Sequence, residues 1–254
     1  MEHTVIIRGV EIGAGMPKIC VPIVEKTREE ILAAAQALSD IPFDVVEWRG
    51  DWYEDVETPG EVCDTLRELW KILGEKPILF TFRSSAEGGE KTISSEYYET
   101  LLGEAAASGY ADLVEVEIFT GDDRVSRIIT KIHDSGCKVI ASNHDFSKTP
   151  DEEELIRRLT KMQDMQADIA KIAVMPQSRQ DVLTLLSATE RMNREYARVP
   201  IVTMSMGSMG LISRLCGECF GSALTFGAAG KVSAPGQMEA ARLSQVLQAI
   251  HGSM

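Results

Sequence analysis

Short apolar runs rich in β-branched residues recur along the chain at fairly even intervals, with helical patterns between them. The runs are KICVPIV (18–24), FDVVEWR (43–49), PILFTFR (77–83), ADLVEVEI (111–118), KVIAS (138–142), DIAKIAV (168–174), PIVTMSM (200–206) and SALTFGA (222–228). Helical stretches follow them: TREEILAAAQAL, PGEVCDTLRELWKIL, SSEYYETLLGEAAASG, DDRVSRIITKIHDSG, TPDEEELIRRLTKMQDM, SRQDVLTLLSATERMNREYA and the terminal PGQMEAARLSQVLQAIH. Several open on a capping residue or a first-turn proline, and two close on glycine. The acidic run Asp151–Glu154 suits a helix start, where the dipole favours negative charge. Eight strand–helix units in alternation predict a parallel sheet. Within 254 residues they predict a closed (β/α)8 barrel, a single α/β domain spanning 1–254, with a doubly wound open sheet as the alternative. HTVIIRGVEIGAG reads as a small N-terminal β-hairpin that closes the barrel floor.

Composition narrows the function. Hydrophobic residues make up 44% and charged residues 26% of the chain, as in soluble globular proteins. No apolar stretch is long enough to span a bilayer, and the start lacks the pattern of a secretory signal, so a cytoplasmic location is expected. The net charge of −13 argues against nucleic-acid and membrane partners. An anionic ligand would therefore need a local cluster of cations. Five cysteines without a signal read as reduced thiols. The C-x-x-C of Cys216 and Cys219 has no second half to complete a zinc site, and both thiols are expected to pack on one face of a short helix.

In a barrel, chemistry gathers where the strands end at the C-terminal mouth. Glu47 and Arg49 share a face of the second strand. Arg83 sits at the tip of the third, with Glu87 in the loop beyond. Glu115 and Glu117 share a face of the fourth, Ser142 and His144 lie at the end of the fifth, and Met204 and Met206 end the seventh. A purely structural lumen would be filled with branched apolar residues, and buried charges must be paired. Lys171 lies inside the apolar run DIAKIAV. Burial is expected to disfavour its charged form and so make the amine a nucleophile towards carbonyls. No dinucleotide or phosphate loop, zinc helix or nucleophile elbow is present. Imine formation on Lys171, followed by proton removal by His144, is the chemistry that remains; histidine titrates near ~6.5 when unperturbed.

Six blocks, VEWRGD (46–51), FTFRSSAEGGE (80–90), SNHDFSKTP (142–150), KIAVMPQS (171–178), TMSMGSMGLISR (203–214) and FGAAGKVSAPGQ (226–237), resemble in order those of type I 3-dehydroquinate dehydratases. The resemblance implies a (β/α)8 barrel, a homodimer and a place in the shikimate pathway. It implies dehydration of 3-dehydroquinate to 3-dehydroshikimate through a lysine imine, without metal or cofactor. Lys171 would form the imine with the C3 ketone. His144 would remove the C2 proton and protonate the departing C1 hydroxyl, and Glu87 would hold and tune His144. Arg214 would take the substrate carboxylate. Glu47, Arg49 and Arg83 would form a polar wall, Ser233 and Gln237 would lie on a lid, and Met204, Met206 and Phe226 would line the apolar side. Ala170, Pro22 and the MGSMG segment depart from common forms of the blocks. A class I aldolase-like barrel and a catalytically silent binding barrel are the competing readings.

Overall fold

The computed structural model describes residues 3–231 and 233–254; Val232, in the last of the six blocks, lies outside them. A two-stranded antiparallel hairpin opens the chain, β1 (Val5–Ile7) and β2 (Val10–Ile12). Eight parallel strands follow: β3 (Lys18–Ile23), β4 (Val45–Arg49), β5 (Ile78–Thr81), β6 (Leu113–Glu117), β7 (Lys138–Asp145), β8 (Ile169–Val174), β9 (Ile201–Ser205) and β10 (Leu224–Ala228). Neighbours in sequence are neighbours in the sheet, and β10 returns to pair with β3. The remaining seam, between β9 and β10, closes through the Ala223 N–H, which donates to the Ile201 carbonyl at 2.8 Å. There the Ser222 hydroxyl accepts the Thr203 N–H at 3.0 Å, so a side chain extends the ladder. The result is the predicted (β/α)8 barrel.

The helices are α1 (Arg28–Gln36), α2 (Glu61–Leu73), α3 (Ser95–Ala107), α4 (Asp122–Asp134), α5 (Glu152–Asp164), α6 (Arg179–Arg191), α7 (Leu211–Leu215), α8 (Gly217–Phe220) and α9 (Ala240–His251). Their starts are chemically specified: Thr27 and Glu30 form a capping box, as do Ser178 and Asp181, while Asp151 accepts the Glu154 N–H at 2.9 Å. Apolar positions at helical spacing, such as Val62, Leu66, Leu69 and Leu73 on α2, turn inward onto the outward faces of the strands. Full burial of each such side chain contributes roughly 1.5–3 kcal/mol.

Four details differ from the sequence-based expectation. The helix expected over 178–197 ends at Arg191 and continues as a π-helical turn, Met192–Tyr196; Gln163 holds that end by donating to the Tyr196 carbonyl at 2.9 Å and accepting the Arg198 N–H at 2.9 Å. The last helix starts at Ala240 and not near Pro235, because β11 (Met238–Glu239) first pairs in parallel with β10. β7 runs on through His144, whose backbone is held within the sheet. Finally, the two C-x-x-C thiols do not share a packed face. The helix breaks between α7 and α8 at Cys216, which is buried with its thiol on the Ile212 carbonyl, while Cys219 is exposed.

The hairpin occupies the bottom of the barrel as expected. Ile7 and Ile12 pack into one apolar cluster with inward-facing Val45, Leu79, Leu113, Ile140, Ile169, Val202 and Leu224. This layer seals the lumen from below.

Candidate active site

Two residues beyond five of the floor side chains, the inward-facing positions turn polar, while Met204 and Phe226 keep the side above Val202 and Leu224 apolar. Glu47, Thr81, Glu115, Ser142 and Lys171 follow Val45, Leu79, Leu113, Ile140 and Ile169; two further on come Arg49, Arg83, Glu117, His144 and Ala173. The two-residue period of a strand makes this layering unavoidable once the floor is set.

Lys171 is 2% exposed, and its Nζ lies 2.6 Å from Glu115 Oε2 and 3.8 Å from Glu47 Oε1. Phe226 covers it, with the ring centroid 4.4 Å from Nζ. The other Glu115 oxygen meets Arg83 Nη2 at 2.7 Å, and Arg83 reaches Glu47 at 3.8 Å. Thr81 donates to Glu47 at 3.0 Å. Burial alone would raise the Glu115 carboxyl, but Arg83 and Lys171 hold it well below the usual carboxylate range. Burial opposes the Arg83 charge, and Glu115 and Glu47 overcome that and raise its affinity for protons. The lysine is thus a paired cation in a four-charge network, not the isolated amine in apolar surroundings that the sequence suggested.

His144 faces the same lumen. Its Nδ1 lies 2.8 Å from Glu87 Oε2, an oxygen that also accepts the His144 backbone N–H at 2.9 Å. Glu87 sits on a 3-10 turn, Ser85–Glu87, and its second oxygen accepts from Asn143 Nδ2 at 3.1 Å. Arg158 on α5 donates to Asn143 Oδ1 at 2.8 Å, which fixes the amide in that orientation. Burial, joined by repulsion from Glu117, pushes the Glu87 carboxyl up to about 8. Burial, then the Arg83 charge, holds the His144 imidazole well below its ordinary value. The pair therefore shares one proton near neutral pH. When that proton leaves, Glu87 is a carboxylate accepting from Nδ1–H, and Nε2 is free to act as a base.

Arg214, on α7, is 2% exposed and pairs with no carboxylate among the described residues. Its Nη2 donates to the Pro235 carbonyl at 3.2 Å, its Nη1 lies 3.5 Å from Met204 Sδ, and its Nε has no hydrogen-bond partner. Burial lowers its affinity for protons to about 10. The contact with Pro235 ties Arg214 to the segment 233–237, whose Ser233, Ala234 and Gln237 line the cavity described below. There Gln237 Oε1 accepts the Ser233 N–H at 2.9 Å and its Nε2 donates to Ser233 Oγ at 2.8 Å. Lys231 pairs with Glu25 at the end of β3. Gly207 N–H donates to the Pro235 carbonyl at 3.1 Å, and Gly236, at φ +80°, lies so close that an added Cβ would stand 2.3 Å from the Gly207 carbonyl oxygen.

These groups surround a cavity that opens to solvent, with about 330 Å³ of empty space counted out to its mouth. Of the residues named from the sequence, Lys171, His144, Glu47, Arg83, Arg214, Met204, Met206, Phe226, Ser233 and Gln237 line it. Glu87 stands behind His144. Arg49 does not reach the cavity: its guanidinium grips Asp51 through two bonds of 2.7 Å. Among the described residues no group of three or more metal-ligating side chains is assembled.

The family model described as type I 3-dehydroquinase matches residues 19–254. The chain belongs to the type I 3-dehydroquinase family. It is 51% identical over 254 residues, all of both chains, to the 3-dehydroquinate dehydratase of Clostridioides difficile. The crystal structure of the type I enzyme from Clostridium difficile, with covalent modified comenic acid, superposes with a TM-score of 0.97 at 51% identity over all of both chains. The Geobacillus kaustophilus enzyme superposes with a TM-score of 0.96 at 36% identity over 99% of each chain. A type I 3-dehydroquinase barrel accordingly holds the network described above.

Sequence reasoning placed Glu115 and Glu117 on one strand face but gave neither a role. Counting the inward cations Arg83 and Lys171 against the acids of adjoining strands would have singled out Glu115 as their shared partner. Phe146 and Ala234, which also line the cavity, carried no signal beyond their place beside recognised motifs.

Proposed function

We propose that this chain dehydrates 3-dehydroquinate to 3-dehydroshikimate through an imine on Lys171. The hydro-lyase activity follows from membership of the type I 3-dehydroquinase family. The covalent route is supported by one arrangement above all: a single lysine lining the cavity, next to the histidine–glutamate pair of the adjoining strand, together with an arginine that has no carboxylate partner among the described residues. The substrate carboxylate would bind Arg214 through a planar two-point contact. Glu47 and Arg83 would hold ring hydroxyls.

Attack of the Lys171 amine on the ketone, with loss of water, gives a protonated imine. That cation sits where the ammonium sat, so the Glu115 contact that stabilises one stabilises the other. The protonated imine withdraws electrons and acidifies the neighbouring C–H. His144 Nε2 takes that proton, and its Nδ1 proton moves towards Glu87, so the pair passes from a net charge of −1 to neutral and no full imidazolium charge is left in the cavity. The proton is then available to the hydroxide equivalent leaving from C1, and water releases the product from Lys171. No cofactor is required by this sequence of steps.

Mixing the protein with 3-dehydroquinate and borohydride should give a stable adduct on Lys171 by peptide mass spectrometry, absent in Lys171→Met. Turnover without an adduct would overturn the covalent route. Neither turnover nor adduct would overturn the assignment. The same reading places the chain in the cytoplasm as a homodimer, which sedimentation analysis would test.

A further inference from the structure

We propose that Glu117 is a positioning residue for the His144–Glu87 pair: it clamps the turn that carries Glu87, and its negative charge governs the proton the pair shares. The inference rests on the reading of that pair as the acid–base group.

Glu117 ends β6 at 2% exposure, and among the described residues no cation lies in salt-bridge contact with it. Burial, joined by repulsion from Glu115, pushes this carboxyl above its usual range, and hydrogen bonds and the more distant Arg83 charge oppose that rise. Here both oxygens go to a single residue: Oε1 accepts the Ser84 N–H and Oε2 the Ser84 hydroxyl, each at 2.7 Å. The Glu117 N–H in turn donates to the buried Tyr98 hydroxyl at 3.0 Å, which fixes the end of the strand from α3. Ser84 is the pivot of the Glu87 turn, because its carbonyl accepts the N–H groups of both Glu87 (3.0 Å) and Gly89 (2.8 Å). Gripping Ser84 therefore sets where Glu87 points. The clamp alone would be met by any acceptor, so the charge calls for its own account.

The charges around the pair come from every side. Arg83 just beyond β5, Lys171 on β8 and Arg49 on β4 oppose a proton on His144, whereas Glu115 favours one. Glu117 disfavours the Glu87 carboxylate, Arg83 favours it, and the Asn143 and His144 N–H groups stabilise it by hydrogen bonds. Glu47 is drawn into the Arg83–Lys171 network, and Tyr98 stays a phenol. Glu117 is the carboxylate that acts on Glu87 most strongly, yet it touches neither the cavity nor His144.

The test separates clamp from charge. Glu117→Gln keeps an acceptor for Ser84 and removes the charge, whereas Glu117→Asp keeps the charge and shortens the reach. In protein labelled with 15N-histidine, the His144 ring signals report the shared proton directly, without reference to activity. We expect their titration midpoint to fall by about half a unit or more in Glu117→Gln and to stay near the parental value in Glu117→Asp. The rising limb of kcat/KM against pH should move with it. A midpoint unmoved in folded Glu117→Gln overturns the proposal, as does one that moves equally in both variants. Should Glu117→Gln not fold, a midpoint displaced in Glu117→Asp as far as that in Glu87→Asp would also overturn it. A rising limb that survives in His144→Asn would instead overturn the acid–base reading, while the ring titration still decides the role of Glu117.

Discussion

The Lys171 ammonium and the Glu115 carboxylate meet at 2.6 Å in the middle of the barrel, and the second Glu115 oxygen holds Arg83 at 2.7 Å. One acid therefore serves two buried cations from strands on either side of its own. Removing it would leave both without their nearest partner. Breaking a buried ion pair from one side costs about 3–5 kcal/mol. Glu115→Ala should lose stability of that order in urea unfolding, and a loss below about 1 kcal/mol would show that the network is not the brace described.

Arg214 presents the opposite case, a buried cation with no acid beside it. Arg214→Gln should leave the melting temperature unchanged or higher, since an uncompensated charge is removed. Affinity for a carboxylate substrate should fall by about 10–150-fold, the loss of one or two charge-assisted hydrogen bonds worth about 1.5–3 kcal/mol. Equal affinity for the acid and its methyl ester in the parent protein would contradict this.

The segment 233–237 meets the barrel rim through a glycine. Gly236→Ala introduces a Cβ against the Gly207 carbonyl at a φ of +80°, where side chains are disfavoured by about 1–2 kcal/mol. The loop lies outside the core, so melting should shift little while kcat/KM falls by about tenfold or more, read from initial rates. Unaltered kinetics would mean that closure does not depend on this contact.

Glu87 predicts a pH dependence of stability. Its carboxyl sits at about 8 in the folded protein, above the value of 4.5 for an unperturbed glutamate. The folded state thus holds this proton more tightly than the unfolded chain. The stabilisation is fully present below the unfolded value and is lost as pH rises through about 8. A neutral glutamine does not titrate. Relative to the parent, Glu87→Gln should become more stable by roughly 2–4 kcal/mol between pH 5 and pH 9 by denaturant unfolding. A constant difference across that range would rule out the raised carboxyl.

Much of this was legible because the barrel writes its structure twice. Floor residues such as Leu113 and Ile140 are apolar, and Glu115 lies two residues beyond the first and His144 four beyond the second on the same strand faces, so period and chemistry together located them. The blocks around Lys171, His144 and Arg214 then supplied the functional reading. What could not be read was partnership. Nothing in the spacing of Glu115 and Lys171, 56 residues apart, says that they touch. Nor does the sequence show that Arg49 spends its guanidinium on Asp51, or that Cys216 breaks a helix so that its neighbour Cys219 faces outward. Those outcomes depend on how far each strand is staggered against the next, and stagger is set by packing around the whole ring.

The hairpin of Val5–Ile12 makes the lumen a dead end. Whatever enters past the segment 233–237 must turn round and leave by the same door, and so must the water released in the reaction. Product still in the cup blocks the next arrival. Product should therefore compete directly with substrate, and no mutation of the hairpin that preserves folding would open a second exit without first exposing Ile7 and Ile12. Traffic through this barrel is single-file in both directions.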